Sequence, residues 1–129
     1  MEMVTIKSLT SFMVGGYTIQ AQHFIRQYYE LSNVFVTREE EENGNGYLYA
    51  YGYYKDEYKL KWIFPFDNVV GIHPIIPELE KEDEFITPEH YKKYIERFKG
   101  KELLEVYAGN FRYVLDANTG EIYDKMESR

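Results

Sequence analysis

The central part of the chain alternates in character with a period of two. Tyrosines stand at every second position from Tyr47 to Tyr53, with apolar or small residues between them. Because successive side chains of a β-strand point to opposite faces, this pattern predicts a strand over residues 46–54 with one aromatic face. A second aromatic run follows at Tyr58, Trp62, Phe64 and Phe66. We expect the two runs to form a hairpin at the centre of the fold.

The length of the connection determines the expected register of this hairpin. With a two-residue turn at Lys55-Asp56, the aromatic face pairs Tyr53 with Tyr58, Tyr51 with Leu60, Tyr49 with Trp62 and Tyr47 with Phe64. The other face then pairs Ala50 with Lys61 and Gly52 with Lys59. A slip of one residue would move both lysines onto the aromatic face, which favours this assignment of faces.

Two further segments have helical spacing. The apolar positions of residues 17–31 recur on a single stripe, as in an amphipathic helix. That stripe consists of Tyr17, Ala21, Phe24, Ile25, Tyr28 and Leu31. A second helix is predicted over residues 88–99, where Thr87 is a suitable N-cap, Pro88 takes the first helical position and Gly100 follows the last turn.

The remaining apolar segments indicate additional strands. They cover residues 3–14, 33–41, 102–108 and 111–116, and a last strand follows a turn at the C-terminus. We therefore expect a single α+β domain over residues 1–129, with a mainly antiparallel sheet of about five to seven strands and two helices packed on one face.

The last turn carries a recognisable phrase. Between Asp116 and Glu121 the chain reads Asp-Ala-Asn-Thr-Gly-Glu, and an aliphatic residue follows. This phrase resembles the hairpin that closes PepSY-type domains, and the predicted helix before it is also similar. The resemblance covers at most the last quarter of the chain, and we infer from it a hairpin but no function.

Composition and charge narrow the classes of function. The 129 residues include no cysteine, which excludes disulfides, thiolate metal sites and a cysteine nucleophile. Acidic residues number 22 against 15 Lys and Arg, so the net charge is −7 and direct nucleic-acid binding is not expected. Because the chain has neither a signal-peptide pattern nor an apolar stretch of membrane-spanning length, we expect a soluble cytoplasmic protein without a membrane partner.

The sequence contains no catalytic motif. Phosphate-loop, dinucleotide-binding, nucleophile-elbow and zinc-protease patterns are all missing. The three histidines, His23, His73 and His90, are far apart and do not have the spacing of metal ligands. We therefore predict no catalytic residues, no metal and no cofactor, and we favour a non-enzymatic function.

Our first hypothesis is a binding protein that acts through its acidic surface, as an inhibitor, immunity or accessory factor. Clusters of carboxylates attract a partner with a basic surface and set the rate of association. The partner-binding residues of this hypothesis are Glu39, Glu40, Glu41, Glu42, Glu78, Glu80, Glu82, Asp83 and Glu84. Edge strands of the sheet would in addition allow pairing into a homodimer.

Two alternatives depend on the aromatic residues. In the first, a small ligand or substrate occupies an aromatic pocket lined by Tyr47, Tyr49, Tyr51 and Trp62, and Arg38, expected on the same face, anchors an anionic group. The plainer interpretation is that this face is part of the core.

The second alternative is a short motif in the first predicted helix. Gln22, Ile25, Tyr28 and Tyr29 have the spacing Gln-x-x-aliphatic-x-x-aromatic-aromatic. This spacing resembles the motif by which replication and repair proteins bind sliding clamps, where a helical turn places the apolar residues in a pocket. An ordinary amphipathic helix would have the same pattern.

Overall fold

The described part of the chain is built of β-strands and the turns that connect them. The computed structural model describes residues 4–75, 97–98 and 100–127, which form eleven strands in three antiparallel sheets. Within these residues, helical conformation is confined to Arg97 and Phe98. The predicted α+β class is therefore wrong for the described part of the chain.

The N-terminal sheet has three short strands in sequential order. They are β1 (Val4–Ser8), β2 (Ser11–Val14) and β3 (Tyr17–Gln20). The single strand predicted over residues 3–14 is in fact two strands, because Leu9 and Thr10 form a turn. The second turn uses Gly15 and Gly16, as the sequence indicated.

The central sheet contains the tyrosine-rich hairpin. Its strands are β4 (Phe24–Glu30), β5 (Phe35–Glu40), β6 (Gly46–Tyr54) and β7 (Glu57–Ile63), again in sequential order. The hairpin turn lies at Lys55 and Asp56, whose φ angles of 51° and 67° are those of the tight two-residue turn that was predicted.

The predicted helix over residues 17–31 does not form. This segment is divided between β3 and β4, with a bend at Gln22 and His23. Aromatic and β-branched residues are frequent in it, and such residues are stable in strands that pack on a neighbouring layer. In that setting Ile19 and Ile25 are buried as strand residues, so the helical spacing of the apolar positions is coincidental.

The C-terminal sheet has the order β11-β10-β9-β8. Its strands are β8 (Val69–Ile75), β9 (Leu103–Ala108), β10 (Phe111–Asp116) and β11 (Ile122–Glu127). The predicted strands near 102–108 and 111–116 and the last strand are confirmed. Of the helix predicted over residues 88–99, only Arg97 and Phe98 belong to the described residues.

The central sheet lies between the other two, and each of its faces carries a separate apolar core. One face packs on the N-terminal sheet through Phe12, Val14, Ile19, Ile25, Phe35, Tyr49 and Tyr51. The other face packs on the C-terminal sheet through Val34, Val36, Leu48, Ala50, Leu104, Val106 and Leu115, among others. The aromatic face is thus covered by a small sheet rather than by helices.

A β-bulge changes the register of the tyrosine hairpin. The first pairs are as predicted, with Tyr53 opposite Tyr58 and Tyr51 opposite Leu60. Lys61 is then an extra residue, so Trp62 lies opposite Ala50 and moves to the face that meets the C-terminal sheet. There its indole Nε1–H donates a hydrogen bond of 2.9 Å to the carbonyl of Ala117. The predicted pairs of Tyr49 with Trp62 and of Ala50 with Lys61 are therefore wrong.

Candidate functional site

The most unusual side chain of the fold is a carboxylate inside the core. Glu39, on β5, is 0% exposed and points to the face that carries Tyr49 and Tyr51. An ionised carboxylate in such a place is costly unless its oxygens accept hydrogen bonds. Here the chain supplies donors from three different segments.

Each oxygen of Glu39 accepts two hydrogen bonds. The backbone N–H groups of Gln22 and His23 both donate to Oε1 at 2.8 Å. The hydroxyl of Tyr51 donates to Oε2 at 2.8 Å, and the hydroxyl of Thr37 donates to the same atom. Glu39 therefore holds the bend between β3 and β4 against the central sheet.

The neighbouring tyrosines are held in their neutral form. Burial raises the pKa of Tyr51 far above its usual range, and the Glu39 charge adds to this effect. Burial, with a smaller contribution from the same carboxylate, raises the pKa of Tyr49 to about 12. Neither phenol is therefore a ready proton donor near neutral pH.

The bend that Glu39 holds has a polar aromatic surface. The ring of His23 stacks on Tyr47 with centroids 5.0 Å apart and an interplanar angle of 27°. Tyr47 donates a hydrogen bond of 3.1 Å to Glu41 Oε1, and His23 Nε2 lies 4.0 Å from the same oxygen. Glu41 thus has a defined position beside two flat rings.

An open cleft of about 260 Å³ adjoins this surface. It is lined by Thr10, Gln22, His23, Phe24, Glu40, Glu41 and Glu42. Three consecutive carboxylates therefore meet the β3–β4 bend and the β1–β2 turn at one end of the central sheet. Such an arrangement is suited to a cationic group, since carboxylates and an aromatic ring both attract positive charge.

One of the three carboxylates is already ion-paired. Glu40 accepts a hydrogen bond of 2.6 Å from Arg38 Nη1, and Arg26 Nε lies 3.5 Å from its other oxygen. Arg38 also donates to the side-chain oxygen of Gln27, which accepts a second hydrogen bond from the backbone N–H of Ile72. The side-chain NH₂ group of Gln27 donates to the Ile72 carbonyl. Glu40 therefore belongs partly to the contact between the central and C-terminal sheets.

The predicted acidic patch is only partly a surface. Glu39 is internal, whereas Glu40, Glu41 and Glu42 line the cleft. The second patch, at Glu78, Glu80, Glu82, Asp83 and Glu84, lies outside the described residues. The sequence pattern thus did not distinguish the buried carboxylate from the three that line the cleft, and their role in partner binding stays a prediction.

The residues of the predicted aromatic pocket do not come together. Tyr49 and Tyr51 are 7% and 1% exposed and form part of the packed core. Arg38 pairs with Leu48 and so lies on the opposite face of the sheet from the tyrosines, and the bulge moves Trp62 to that opposite face as well. The expectation that Arg38 shares the aromatic face is wrong.

The predicted clamp-binding residues lie on a strand and its preceding bend rather than on a helix. Ile25 is buried in the core that faces the N-terminal sheet, where its side chain has no access to a partner. Tyr28 and Tyr29 point to opposite faces of β4, because they are consecutive residues of a strand. Gln22 lies in the bend before it. The helical turn that the motif requires is therefore missing.

His23, Phe24 and Thr10 line the cleft but were not predicted as site residues. The spacing of His23 from the other histidines gives no information about a carboxylate on another strand. The sequence holds no signal that would join Thr10 to Glu41, since the bend and turn that bring them together depend on the packing of two sheets.

The chain matches no protein-family model, no curated protein and no solved structure. Among the described residues, no group of three histidines or carboxylates has the arrangement of a metal site. Nor does that part of the chain contain a helix with the length and apolar character needed to cross a membrane.

Proposed function

We propose that this protein is a non-enzymatic binding protein that recognises a cytoplasmic protein partner with a basic surface, as an inhibitor, immunity or accessory factor does. The observation that carries the proposal is the cleft at the β3–β4 bend. Glu40, Glu41 and Glu42 line it beside the stacked rings of His23 and Tyr47.

The chemistry of the cleft favours a lysine or arginine side chain of the partner. Glu41 and Glu42 supply acceptors for its N–H groups, and the stacked rings of His23 and Tyr47 border these carboxylates. The hydrogen bond from Tyr47 holds Glu41 in place, and Glu39 fixes the backbone of the bend on the adjacent wall of the cleft. A pre-positioned site loses less conformational entropy when the partner binds.

The long-range charge of the molecule supports the same partner class. A net charge of −7 attracts a basic protein and accelerates association at low ionic strength. The local geometry then decides the orientation in which the partner binds. Catalysis has less support, because both oxygens of the buried carboxylate are engaged and Tyr49 stays neutral near pH 7.

The proposal is tested by a matched pair of double substitutions. The partner is captured with the wild-type protein, purified and titrated against Glu41→Gln/Glu42→Gln. The control is Asp56→Asn/Glu57→Gln, which removes the same two charges at the hairpin turn, at the other end of β6. We expect the cleft variant to bind at least about tenfold more weakly and with a smaller salt dependence, since it loses two charge-assisted contacts.

The control variant should bind within about twofold of the wild type, because charges outside an interface contribute little to affinity. Equal weakening by the two pairs would show that only the total charge matters, and the cleft would then not be the binding site. Full retention of binding by the cleft variant would also contradict the proposal.

A further inference from the structure

A cluster of three tyrosines, two of them largely exposed, lies at the hairpin end of the central sheet. Tyr53 and Tyr58 are cross-strand partners with ring centroids 5.0 Å apart. Tyr17, from β3, brings its ring to 5.6 Å from Tyr58. Tyr53 is 55% exposed and Tyr17 is 49% exposed. Large aromatic rings kept at the surface by neighbouring rings are a frequent feature of binding sites.

A hollow of about 280 Å³ lies beside these rings. It is lined by Asn33, Tyr53, Tyr58 and Lys61. Gly52 keeps the space between Asn33 and Lys61 open, because it has no side chain. A Cβ added there would lie 3.0 Å from the Asn33 carbonyl and 3.3 Å from Lys61 Cδ. The β-bulge is what brings Lys61 to this position, since without it Lys61 would pair with Ala50.

We propose that this hollow binds a sugar ring, the pyranose of a neutral hexose chain. The C–H groups on one face of a pyranose are weakly positive and pack on the negative face of a tyrosine ring. Asn33 supplies both a donor and an acceptor for the ring hydroxyls, and Lys61 supplies donors. The hollow therefore combines an aromatic platform with hydrogen-bonding groups at its edge.

Nucleobases also stack on tyrosine, but the net charge of the chain disfavours a nucleic acid. The chain carries −7 overall, while the turn and strand beside the hollow hold Asp56 and Glu57 together with Lys55, Lys59 and Lys61. Because these local charges nearly cancel, it is the charge of the whole chain that repels a phosphate backbone, whereas a neutral sugar is not affected. The net charge thus favours the sugar over the oligonucleotide.

The hollow is separate from the acidic cleft. Tyr47, which stacks on His23 of the cleft, and Tyr53 of the hollow are six residues apart on β6, which corresponds to about 20 Å along a strand. Either site can therefore be changed without touching the other. The sugar proposal does not depend on the protein partner proposed above, and the two experiments can succeed or fail independently.

The test is a separate titration of the wild-type protein with cellohexaose and with maltohexaose, in which binding is monitored through the NMR chemical shifts of the backbone amides. We expect one of them to shift the amides of Asn33, Tyr53 and Lys61, with a dissociation constant in about the millimolar range typical of a single small contact. Tyr53→Ala should weaken binding by about tenfold, because a stacking contact is lost. Tyr53→Phe keeps the ring and should stay within about threefold of the wild type.

Tyr28→Ala is the control, since Tyr28 is 48% exposed on β4 but does not line the hollow. If Tyr53→Ala does not fold, Lys61→Ala replaces it, with the same direction of effect expected. The proposal is overturned if neither sugar shifts these amides, or if Tyr28→Ala weakens binding as much as the hollow variants. It is equally overturned if an oligo-dT strand shifts the same amides while both sugars leave them unchanged.

Discussion

The clearest quantitative prediction concerns the buried carboxylate Glu39. Replacing it by alanine removes the carboxylate to which four donors of the described structure bind. The hydroxyls of Thr37 and Tyr51 lie in the core, where water cannot replace the carboxylate. Each buried donor left without a partner costs about 1–3 kcal/mol.

The two backbone N–H donors, at Gln22 and His23, lie nearer the surface. Leaving them without the carboxylate costs less free energy, because solvent reaches the bend. Counting the two hydroxyls in full and the amides in part, we expect Glu39→Ala to lower the free energy of unfolding by about 4 kcal/mol. Glu39→Gln keeps the shape and one acceptor oxygen, and both hydroxyls can rotate to accept from its NH₂ group. We therefore expect a loss of only about 1–2 kcal/mol for that variant.

The assay is urea unfolding at neutral pH, followed by the fluorescence of Trp62, the single tryptophan of the chain. The control is Glu42→Ala, an exposed carboxylate of the same patch, which should change stability by less than about 0.5 kcal/mol. Adding Tyr51→Phe to Glu39→Ala removes one unpaired donor, so the double variant should lose less than the sum of the two single ones.

Two results would refute this reasoning. If Glu39→Ala were within about 1 kcal/mol of the wild type, the carboxylate would not be holding the bend. If Glu39→Gln were as unstable as Glu39→Ala, the negative charge rather than the acceptor geometry would be the stabilising factor. An additive double variant would show in addition that Tyr51 does not depend on Glu39.

Three further predictions follow from the turns and the tyrosine core. Gly120→Ala should lower the free energy of unfolding more than Gly109→Ala and should alter Trp62 fluorescence. Both positions have positive φ, but only at Gly120 would the new Cβ lie 2.8 Å from the Trp62 ring, which adds about 1–3 kcal/mol of overpacking. Equal losses of stability in urea unfolding would contradict this. Because the pKa of Tyr49 is raised to about 12, the stability that this residue contributes is fully present below pH 10 and is lost as the pH rises toward 12. Tyr49→Phe should therefore flatten the decline of the melting temperature over this pH range. An unchanged pH profile of the melting temperature would argue against this prediction. Asp56→Gly should stabilise the protein by about 0.5 kcal/mol, because relief of the left-handed backbone conformation at φ 67° exceeds the larger entropy that glycine loses on folding, and a lower melting temperature would contradict that.

Local patterns were sufficient where neighbouring residues decide the structure. The tyrosine strand, its two-residue turn and the first cross-strand pairs were predictable, because a period of two and a tight turn together fix which side chains share a face. The C-terminal hairpin was predictable for the same reason. The acidic stretch from Glu39 to Glu42 was visible too, but the burial of Glu39 within it was not.

The segment over residues 17–31 shows where this approach fails. Its apolar positions satisfy a helical stripe, but two short strands with a bend between them bury Ile19 and Ile25 equally well. Which arrangement forms depends on the sheet available to cover the tyrosine face. That information is not contained in the segment itself.

The sequence by itself determined the tyrosine hairpin with its first cross-strand pairs, the C-terminal hairpin and the net negative charge. Only the tertiary structure decided that Glu39 is internal while Glu41 and Glu42 line a cleft. The physical reason is that a carboxylate is stable in a core only where donors from other segments converge on it, and here two of them come from a bend formed by sheet packing. The bulge at Lys61 has a similar origin, since it places Trp62 against the C-terminal sheet.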